Sequence, residues 1–391
     1  MAGSPNALRA YYLATFAALG VYLPYTPRWL EAQGVEGAAM GAIAAAFPAM
    51  AIVAPPAFGL FADALRLRRA LLRVACAGAF ASFAVIAACA LAGRTLGVLG
   101  IGLAFTAFAF FRAPMAMMAD VMALEAGQRT GASYGRIRLF GSVGFLLAAL
   151  FSGRYLDLRS LAPVPVTIAA CLLGALVISF VMPGAGALPT PPARGQIARL
   201  WGDRGFRLFL ACAALHMASY SCHDLCLSLH LRDLGAGDGV VGLAWAIGVL
   251  FEIALMAKAD ALFERVALPA LLTAAYAATA LRWVLLSALT SPIAILLLQP
   301  MHALSFALSW VAMMALVKDR APEGALATAQ GLLMACSAIG SAMTMPIWGA
   351  LYRHGGGPLA FGGAALVAAC SVACSLPLGR RWRGAAARIP A

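Results

Sequence analysis

Ionisable side chains inside long apolar segments are the residues of this sequence that could do chemistry. Glu252, Arg282 and His302 each interrupt such a segment. A charge at the centre of a membrane-spanning helix costs roughly 2.5–3.5 kcal/mol, so it persists by pairing, by facing water or by becoming neutral. A carboxylate there can take up a proton, and a nearby guanidinium favours its release. We predict that the three residues form a proton-coupling cluster; the alternative is a permanent Glu252–Arg282 pair that only joins two helices.

Arg112 is a further charge inside the membrane, just past the middle of its own apolar segment. A guanidinium can hold a carboxylate or a phosphate through two parallel hydrogen bonds. Arg112 is therefore predicted to contact an anionic substrate. The alternative is an ion pair with Asp224 or Glu252, which would give Arg112 a structural role.

Three histidines, His216, His223 and His230, recur every seven residues in one segment. In a helix this spacing brings them near one face but separates neighbours by about 10 Å along the axis. Because zinc ligands lie roughly 2 Å from the ion, adjacent histidines cannot share one ion, and no metal site is predicted. His223 and Asp224 are predicted to line a substrate cavity; a polar contact between helices is the alternative.

Two aromatic residues are further candidates for the cavity lining. Tyr22 lies close to Pro24, which loosens the first apolar segment. Trp245 lies seven residues before Glu252, so it can share a helix face with that carboxylate and stack on a substrate ring. The sequence contains no P-loop, catalytic triad or metal motif, so we predict neither an enzyme nor a cofactor.

The elements that must position these residues follow from the composition. Of the 391 residues, 63% are hydrophobic and 11% are charged, and the mean hydropathy is +0.90. Soluble domains carry about 25% charged residues, so lipid must solvate this chain. Apolar stretches of about 20 residues match the length of a membrane-spanning helix. We predict an all-α membrane protein with twelve transmembrane helices, at residues 8–30, 37–62, 70–92, 96–121, 136–157, 162–182, 207–231, 239–262, 267–289, 292–317, 325–352 and 358–379.

The basic residues predict the orientation of these helices. An even number of spans puts both termini on one side, and most of the 28 Lys and Arg residues lie in the segments on that side. Positively charged loops stay in the cytoplasm, so both termini are predicted to be cytoplasmic, in a multi-pass protein of the bacterial inner membrane. The net charge of +13 is thereby explained by topology, and nucleic-acid binding is not predicted.

An internal repeat and a polar linker predict two bundles. The segment 184–206 is rich in Gly and Pro and then basic, which is typical of a linker. It separates an N-terminal six-helix bundle, residues 1–183, from a C-terminal bundle with a short basic tail, residues 207–391. Asp63 and Asp260, and likewise Gly153 and Gly349, recur at nearly the same separation. Two repeated halves suit the major facilitator architecture, in which substrate binds between bundles. Small residues in the helices predict close packing, at Gly141, Gly144, Gly331, Gly340 and Gly349.

The segment from Gly59 to Arg69, GLFADALRLRR, resembles the loop signature of the major facilitator superfamily. Gly59 and Asp63 match its first glycine and its aspartate, and Arg68 and Arg69 match its basic cluster. Arg66 stands where the signature has a second glycine. The resemblance implies that these residues hold one face of the transporter shut, with a carboxylate at a helix end facing cationic side chains.

Further motifs resemble the 3-phenylpropionate permease group, which is related to the nucleoside and lactose permeases. They cover almost the whole chain: YGRIRLFGS from Tyr134, Glu252 with Asp260, Arg282-Trp283, QPMHALSF from Gln299, Ala329-Gln330-Gly331, and Pro114 with Asp120. The chain departs from the group at Cys222-His223-Asp224, where aromatic residues are usual, and at Arg112. Asp120 is predicted to belong to the cytoplasmic gate with Arg136 or Arg138, and not to the substrate site. Asp260 is a further gating candidate, and Gln299 is a candidate substrate contact.

Together these patterns predict a secondary active transporter that works by alternating access, and the resemblance implies that it is a monomer. Members of the 3-phenylpropionate permease group usually carry out proton symport of small organic solutes, among them aromatic acids, nucleosides and sugars. We predict proton-coupled symport of such a solute, with aromatic or anionic metabolites as candidates. The partners are then the substrate, protons and the lipid bilayer. A proton-driven exporter of drugs or metabolites is the first alternative, and a membrane sensor that transports nothing is the second.

Overall fold

The computed structural model describes residues 5–65, 68–130, 133–158, 160–182, 195–258, 262–322 and 325–386. Every element in this part of the chain is helical. The N-terminal half forms α1 (Pro5–Ala32), α2 (Gly37–Leu65), α3 (Arg68–Leu91), α4 (Gly97–Thr130), α5 (Tyr134–Leu156) and α6 (Pro163–Ser179). The rest forms α7 (Gln196–Gly202), α8 (Arg204–Asp233), α9 (Asp238–Met256), α10 (Leu268–Ala288), α11 (Pro292–Leu298), a π-helix (Ala303–Ala307), α12 (Leu308–Arg320) and α13 (Leu326–Ala386).

Several of these helices are long and apolar enough to cross a membrane, as the composition predicts. In the described part of the chain there are seven, or eight if the bent pair Pro292–Leu298 and Ala303–Arg320 is one span. One of the seven, Leu326–Leu378, covers two predicted spans. Its backbone leaves the helical region at Gly355 and Gly356, between the predicted ends at 352 and 358. The chain is therefore a multi-pass, all-α membrane protein, and the count of twelve spans and the cytoplasmic termini stay predictions.

Two predicted spans differ from the observed helices. The span predicted at 292–317 is broken after Leu298, bends by 42° and continues as a π-helix. Gln299 directly precedes Pro300, and proline disfavours helical backbone at the residue before it and removes a hydrogen-bond donor. The span predicted at 239–262 ends at Met256.

The chain divides into two compact units. The first comprises Met1–Pro189 with Ser228–Ala246, and the second comprises Thr190–Leu227 with Ile247–Ala391. The division differs from the predicted one in the segment Ser228–Ala246, which joins the end of α8 to the start of α9. The predicted linker, 184–206, lies outside the described residues up to 194. Its remainder contains the short α7 and the start of α8, which begins at Arg204. The assignment of residues 1–183 and 207–391 to separate bundles stays a prediction.

In the first unit, α1 packs on α5 and α6, and α4 packs on α2 and α3. The α1–α5 crossing is tight because glycines stand on both sides of it. A Cβ atom added to Gly144 would lie 2.3 Å from the carbonyl oxygen of Leu13, and one added to Gly20 would lie 2.3 Å from that of Phe145. The two backbones therefore touch, as helices in membranes do at small residues.

The second unit contains a similar crossing. A Cβ atom added to Gly340 of α13 would lie 2.2 Å from the carbonyl oxygen of Ala214 in α8. Gly144 and Gly340 have the same separation along the sequence as Gly153 and Gly349. The close packing predicted at Gly144 and Gly340 is thus present, whereas nothing lies within 4 Å of a Cβ added to Gly331.

Candidate functional site

Arg282 lies at the centre of a buried polar cluster in the second unit. Its side chain projects from the middle of α10 and is fully buried. Its Nη2 atom donates to Oε1 of Gln299 at 2.8 Å, and its Nη1 atom donates to Oγ of Ser305 at 3.0 Å. Both acceptors belong to the broken helix. The break therefore brings two neutral acceptors to a charge that lipid alone could not solvate.

Two histidine rings also contact this guanidinium. Nε2 of His223 lies 3.2 Å from Nη2 of Arg282, and Nδ1 of His302 lies 3.4 Å from Nη1. A guanidinium is only a donor, so each of these ring nitrogens accepts a hydrogen bond. The hydrogen-bond geometry thereby assigns the proton of His223 to Nδ1 and that of His302 to Nε2.

Each of those protonated nitrogens faces a carboxylate. Nδ1 of His223 lies 3.3 Å from Oδ1 of Asp224, and Nε2 of His302 lies 3.5 Å from Oε2 of Glu252. The carboxylate side chains are 28% and 20% exposed, whereas both rings are nearly buried. Two histidine–carboxylate arms therefore extend from one buried arginine to carboxylates that are partly exposed.

The local backbone explains how the sequence builds this cluster. His223 and Asp224 are consecutive residues of α8, and Glu252 lies on α9 near its end at Met256. His302 stands between the bend and the π-helix, whose wider turn places Ser305 beside Arg282. Single π-helical turns inside α-helices are frequent at functional sites.

The three residues predicted as the coupling cluster thus lie together. His302 lies between Glu252 and Arg282, which do not pair directly in the part of the chain that the structure describes. Glu252 contacts His302, and Arg282 contacts the opposite side of the same ring. Within the described residues, no ion pair joins Glu252 to Arg282, so the permanent Glu252–Arg282 pair considered above is not formed. Gln299, His223 and Asp224, predicted as substrate contacts, belong to the same cluster. Their roles stay predictions.

The sequence analysis missed two members of the cluster, Tyr220 and Ser305. The hydroxyl of Tyr220 lies 2.7 Å from Nδ1 of His302. Tyr220 precedes His223 by three residues on α8, and Ser305 follows His302 by three residues, so each shares a helix face with a residue that was identified. That spacing is the signal that could have found them.

The remaining substrate candidates lie in the first unit. Tyr22 is 6% exposed and surrounded by aromatic rings; its ring centroid lies 5.4 Å from that of Phe47 and 5.3 Å from that of Phe108. The guanidinium carbon of Arg112 lies 4.5 Å from the centroid of Phe47. Trp245 is buried and donates through Nε1 to Oγ of Ser228 at 3.4 Å. Arg112 and Tyr22 therefore both contact the ring of Phe47, whereas Trp245 contacts Ser228.

The predicted gating residues are only partly described. Asp260 lies outside the described residues. The side chains of Asp63 and Arg68 and the surroundings of Gly59 are likewise not described, and Arg69 is exposed. Arg136 is also exposed.

Asp120 has partners that differ from the predicted ones. Its Oδ1 atom accepts from the hydroxyls of Tyr12, at 2.5 Å, and Tyr134, at 3.0 Å. The guanidinium carbon of Arg138 lies 4.0 Å from the ring centroid of Phe16. Within the described residues, no ion pair joins Asp120 to Arg136 or Arg138, and two hydroxyls contact its carboxylate instead. The gating role of Asp120 stays a prediction.

A second polar cluster in the first unit was not predicted. Arg28 of α1 forms an ion pair with Asp238, the first residue of α9, and Arg232 forms one with Glu31. Asp157, at the end of α5, accepts from the backbone N–H of Gly239 at 3.0 Å. The ends of α1 and α5 are thus tied to the segment Ser228–Ala246. On the predicted topology this cluster is on the outer side of the membrane.

Comparisons with known proteins give the fold and site a context. A family model described as the MFS_1 like family matches residues 6–362. The chain is 26% identical over 353 residues to the probable 3-phenylpropionic acid transporter of Escherichia coli (strain K12), covering 88% of this chain and 90% of that protein. It is 30% identical over 279 residues to the maltose permease of Geobacillus stearothermophilus, covering 70% and 68%.

Solved structures share the fold. The nucleoside transporter NupG has a TM-score of 0.81 at 14% sequence identity, covering 97% of this chain and 98% of that one. The POT family transporter PepTSo has a TM-score of 0.76 at 10% identity, covering 98% of both chains. At such identities these structures are evidence for the fold alone.

Proposed function

Because the chain belongs to the MFS_1 like family, we propose that it carries a small organic anion across the membrane together with protons. The relatives are transporters and permeases and the fold is that of membrane transporters, so the chain is a transporter of small solutes and not an enzyme. Proton coupling and the class of solute are the proposal.

The observation that carries the proton coupling is the pair of histidine–carboxylate arms on Arg282. When Glu252 is a carboxylate, it accepts from the Nε2–H group of His302, whose Nδ1 atom faces Arg282. A proton that binds Glu252 removes the negative charge at the outer end of this arm. Arg282 then lacks part of its electrostatic compensation, and the arrangement of α9, α10 and the broken helix is destabilised. Protonation is thereby linked to a conformational change in the second unit.

The contacts of Arg112 support an anionic, aromatic solute. Within its own unit, no described carboxylate forms an ion pair with Arg112, and its guanidinium lies over the ring of Phe47. A guanidinium that lies on an aromatic ring keeps donors available for a carboxylate. The ring of Tyr22 lies on Phe47 as well, so a solute bound to Arg112 would meet aromatic surfaces. The Escherichia coli relative is named for 3-phenylpropionic acid, an aromatic carboxylate.

A two-stage experiment tests this function. The purified protein is first screened by thermal shift against aromatic carboxylates, neutral aromatic alcohols, nucleosides and sugars, because a ligand stabilises the state that it binds. Carboxylates that raise the midpoint are then assayed in proteoliposomes with an imposed pH gradient. We expect accumulation that an uncoupler abolishes. Stabilisation by the alcohols and not by the acids would contradict the anionic solute. Solute flux of the same size with and without the pH gradient would contradict proton coupling.

A further inference from the structure

A groove opens on the second unit between α9 and the broken helix. It has a volume of about 730 Å³, and its walls are apolar, formed among others by Phe251, Leu255, Pro300 and Leu304. Phe251 is 45% exposed and Leu304 is 42% exposed, although both are large hydrophobic side chains. An apolar concavity of this size on a membrane protein is suited to a hydrocarbon chain.

One end of the groove is basic. Lys258 and Arg265 belong to its lining, and both are exposed. Neither forms an ion pair with any residue in the described ranges. Lys258 lies just beyond the end of α9 at Met256, where the apolar span gives way to the interface. Phe251 is seven residues earlier, about 10 Å deeper along the helix axis. The groove therefore runs from two cations at the membrane surface towards the apolar interior.

We propose that this groove binds an anionic phospholipid, with the phosphate held by Lys258 and Arg265 and one acyl chain lying against Phe251 and Leu304. The arrangement matches the two parts of such a lipid in order and in depth. Cations near a membrane surface attract anionic headgroups by about 1 kcal/mol each, and the apolar wall removes the chain from bulk lipid without exposing it to water. On the predicted topology the site opens to the cytoplasmic leaflet.

Two features favour a phospholipid over other occupants. A small soluble anion could satisfy Lys258 and Arg265, but it would leave the apolar wall unfilled. A second copy of the chain would fill the apolar wall, but it would not account for Lys258 and Arg265 at one end of the groove. Only an amphiphile with a negative headgroup uses both parts of the groove.

The position of the groove links it to the buried cluster. Pro300, Ala303 and Leu304 line it, and they belong to the same break that carries Gln299 and His302. A bound acyl chain would therefore lie against the bent segment that carries His302, the contact of Glu252. Lipid binding itself does not depend on what the transporter carries, so the site can be tested without a known substrate.

The test uses native mass spectrometry of the full chain with added phosphatidylglycerol. The double variant Lys258→Gln/Arg265→Gln is compared with Arg199→Gln/Arg204→Gln, which removes two exposed charges outside the groove. We expect roughly thirty-fold weaker binding of one phosphatidylglycerol in the first variant and little change in the second. Equal binding by the two variants would overturn the proposal.

Two further experiments distinguish the phospholipid from the other possible occupants. Ala254→Trp keeps both cations and fills the groove, and it should displace the same lipid while leaving the thermal midpoint in lipid-free detergent unchanged. Unchanged lipid binding in this variant would overturn the proposal. Inorganic phosphate should not raise the thermal midpoint; if it stabilised the protein as much as phosphatidylglycerol does, a soluble anion would be the occupant. A dimer that Ala254→Trp abolishes would identify a second copy instead.

Discussion

The Nε2 atom of His302 lies 3.5 Å from the Oε2 atom of Glu252, so a nearly buried ring contacts a carboxylate that is partly exposed. The other side of the ring faces Arg282. His302 therefore lies between the carboxylate and the guanidinium of the cluster. Any change of charge on Glu252 reaches Arg282 through this ring and does not act by a direct ion pair. Proton coupling should accordingly depend on both side chains.

Glu252→Gln should abolish coupling without abolishing transport. The amide keeps the size and an acceptor oxygen, but it cannot bind a proton. We expect accumulation driven by a pH gradient to fall roughly tenfold or more, the equivalent of at least about 1.4 kcal/mol, while exchange of labelled for unlabelled solute continues. Both are measured in the same proteoliposomes. Accumulation at the wild-type level would exclude Glu252 as the coupling carboxylate.

Asp224→Asn tests whether the second arm also carries protons. It leaves the Arg282–His223 contact in place and removes only the charge beyond it. If both arms bind protons, the number of protons moved per solute should fall in this variant, and wild-type stoichiometry should persist if only the Glu252 arm does. The reversal potential of transport in proteoliposomes measures the ratio. An unchanged ratio would restrict coupling to Glu252 and His302.

The cluster shows what the sequence could and could not predict. Glu252, Arg282 and His302 are recognisable because charged and titratable groups are costly inside apolar segments. Their order is not recognisable, because it depends on how the helix rotates after the break at Gln299-Pro300. Tyr220 escapes notice for a related reason. An aromatic residue in an apolar helix is unremarkable until the fold places His302 beside it.

Arg112→Lys should weaken binding of an anionic solute more than binding of a neutral one. A lysine keeps the positive charge but loses the planar pair of donors and the broad stacking on Phe47. We expect roughly tenfold weaker affinity for an aromatic carboxylate. The matching alcohol, which lacks the carboxylate, serves as the control ligand. Equal losses for both, measured by competition binding, would assign Arg112 a structural role.

Gly144→Ala should destabilise the first unit. The added methyl group would lie 2.3 Å from the carbonyl oxygen of Leu13, so α1 and α5 must separate. Overpacking of this kind costs about 1–3 kcal/mol. Gly331→Ala is the matched control, because nothing lies within 4 Å of its new Cβ, and replacing a helical glycine gains about 0.5–1 kcal/mol. Thermal unfolding in detergent should therefore move in opposite directions; a lower midpoint for Gly331→Ala alone would contradict the crossing.

The ion pair of Arg28 with Asp238 should show energetic coupling. Arg28→Asp places two carboxylates together and should lower the midpoint of thermal unfolding, and adding Asp238→Arg should restore much of it. Residues in contact typically couple by 0.5–3 kcal/mol, to which this pair should conform. Arg154→Asp makes the same change at an exposed position of α5 and should have little effect. Additive losses in the double variant would show that the pair contributes nothing.

This outer cluster marks another limit of prediction. Arg28 and Arg232 can be assigned to a side of the membrane from the distribution of charge, because topology depends on local composition. Their partners cannot be assigned in this way. Asp238 is distant in sequence from its partner Arg28, and Glu31 is distant from its partner Arg232. Only the packing of α1, α5 and the start of α9 brings each pair together.

The π-helix at Ala303–Ala307 contains one residue more than a regular α-helical turn would need. That extra residue determines which face α12, the helix that follows, turns towards its neighbours. A one-residue deletion within the turn would restore α-helical hydrogen bonding and leave a span of nearly unchanged length. It would also rotate α12 by about 100° relative to His302. The helix would fit the membrane as before but present a different face to Arg282. The function of this protein thus depends on the number of residues in one helical turn as well as on their identity.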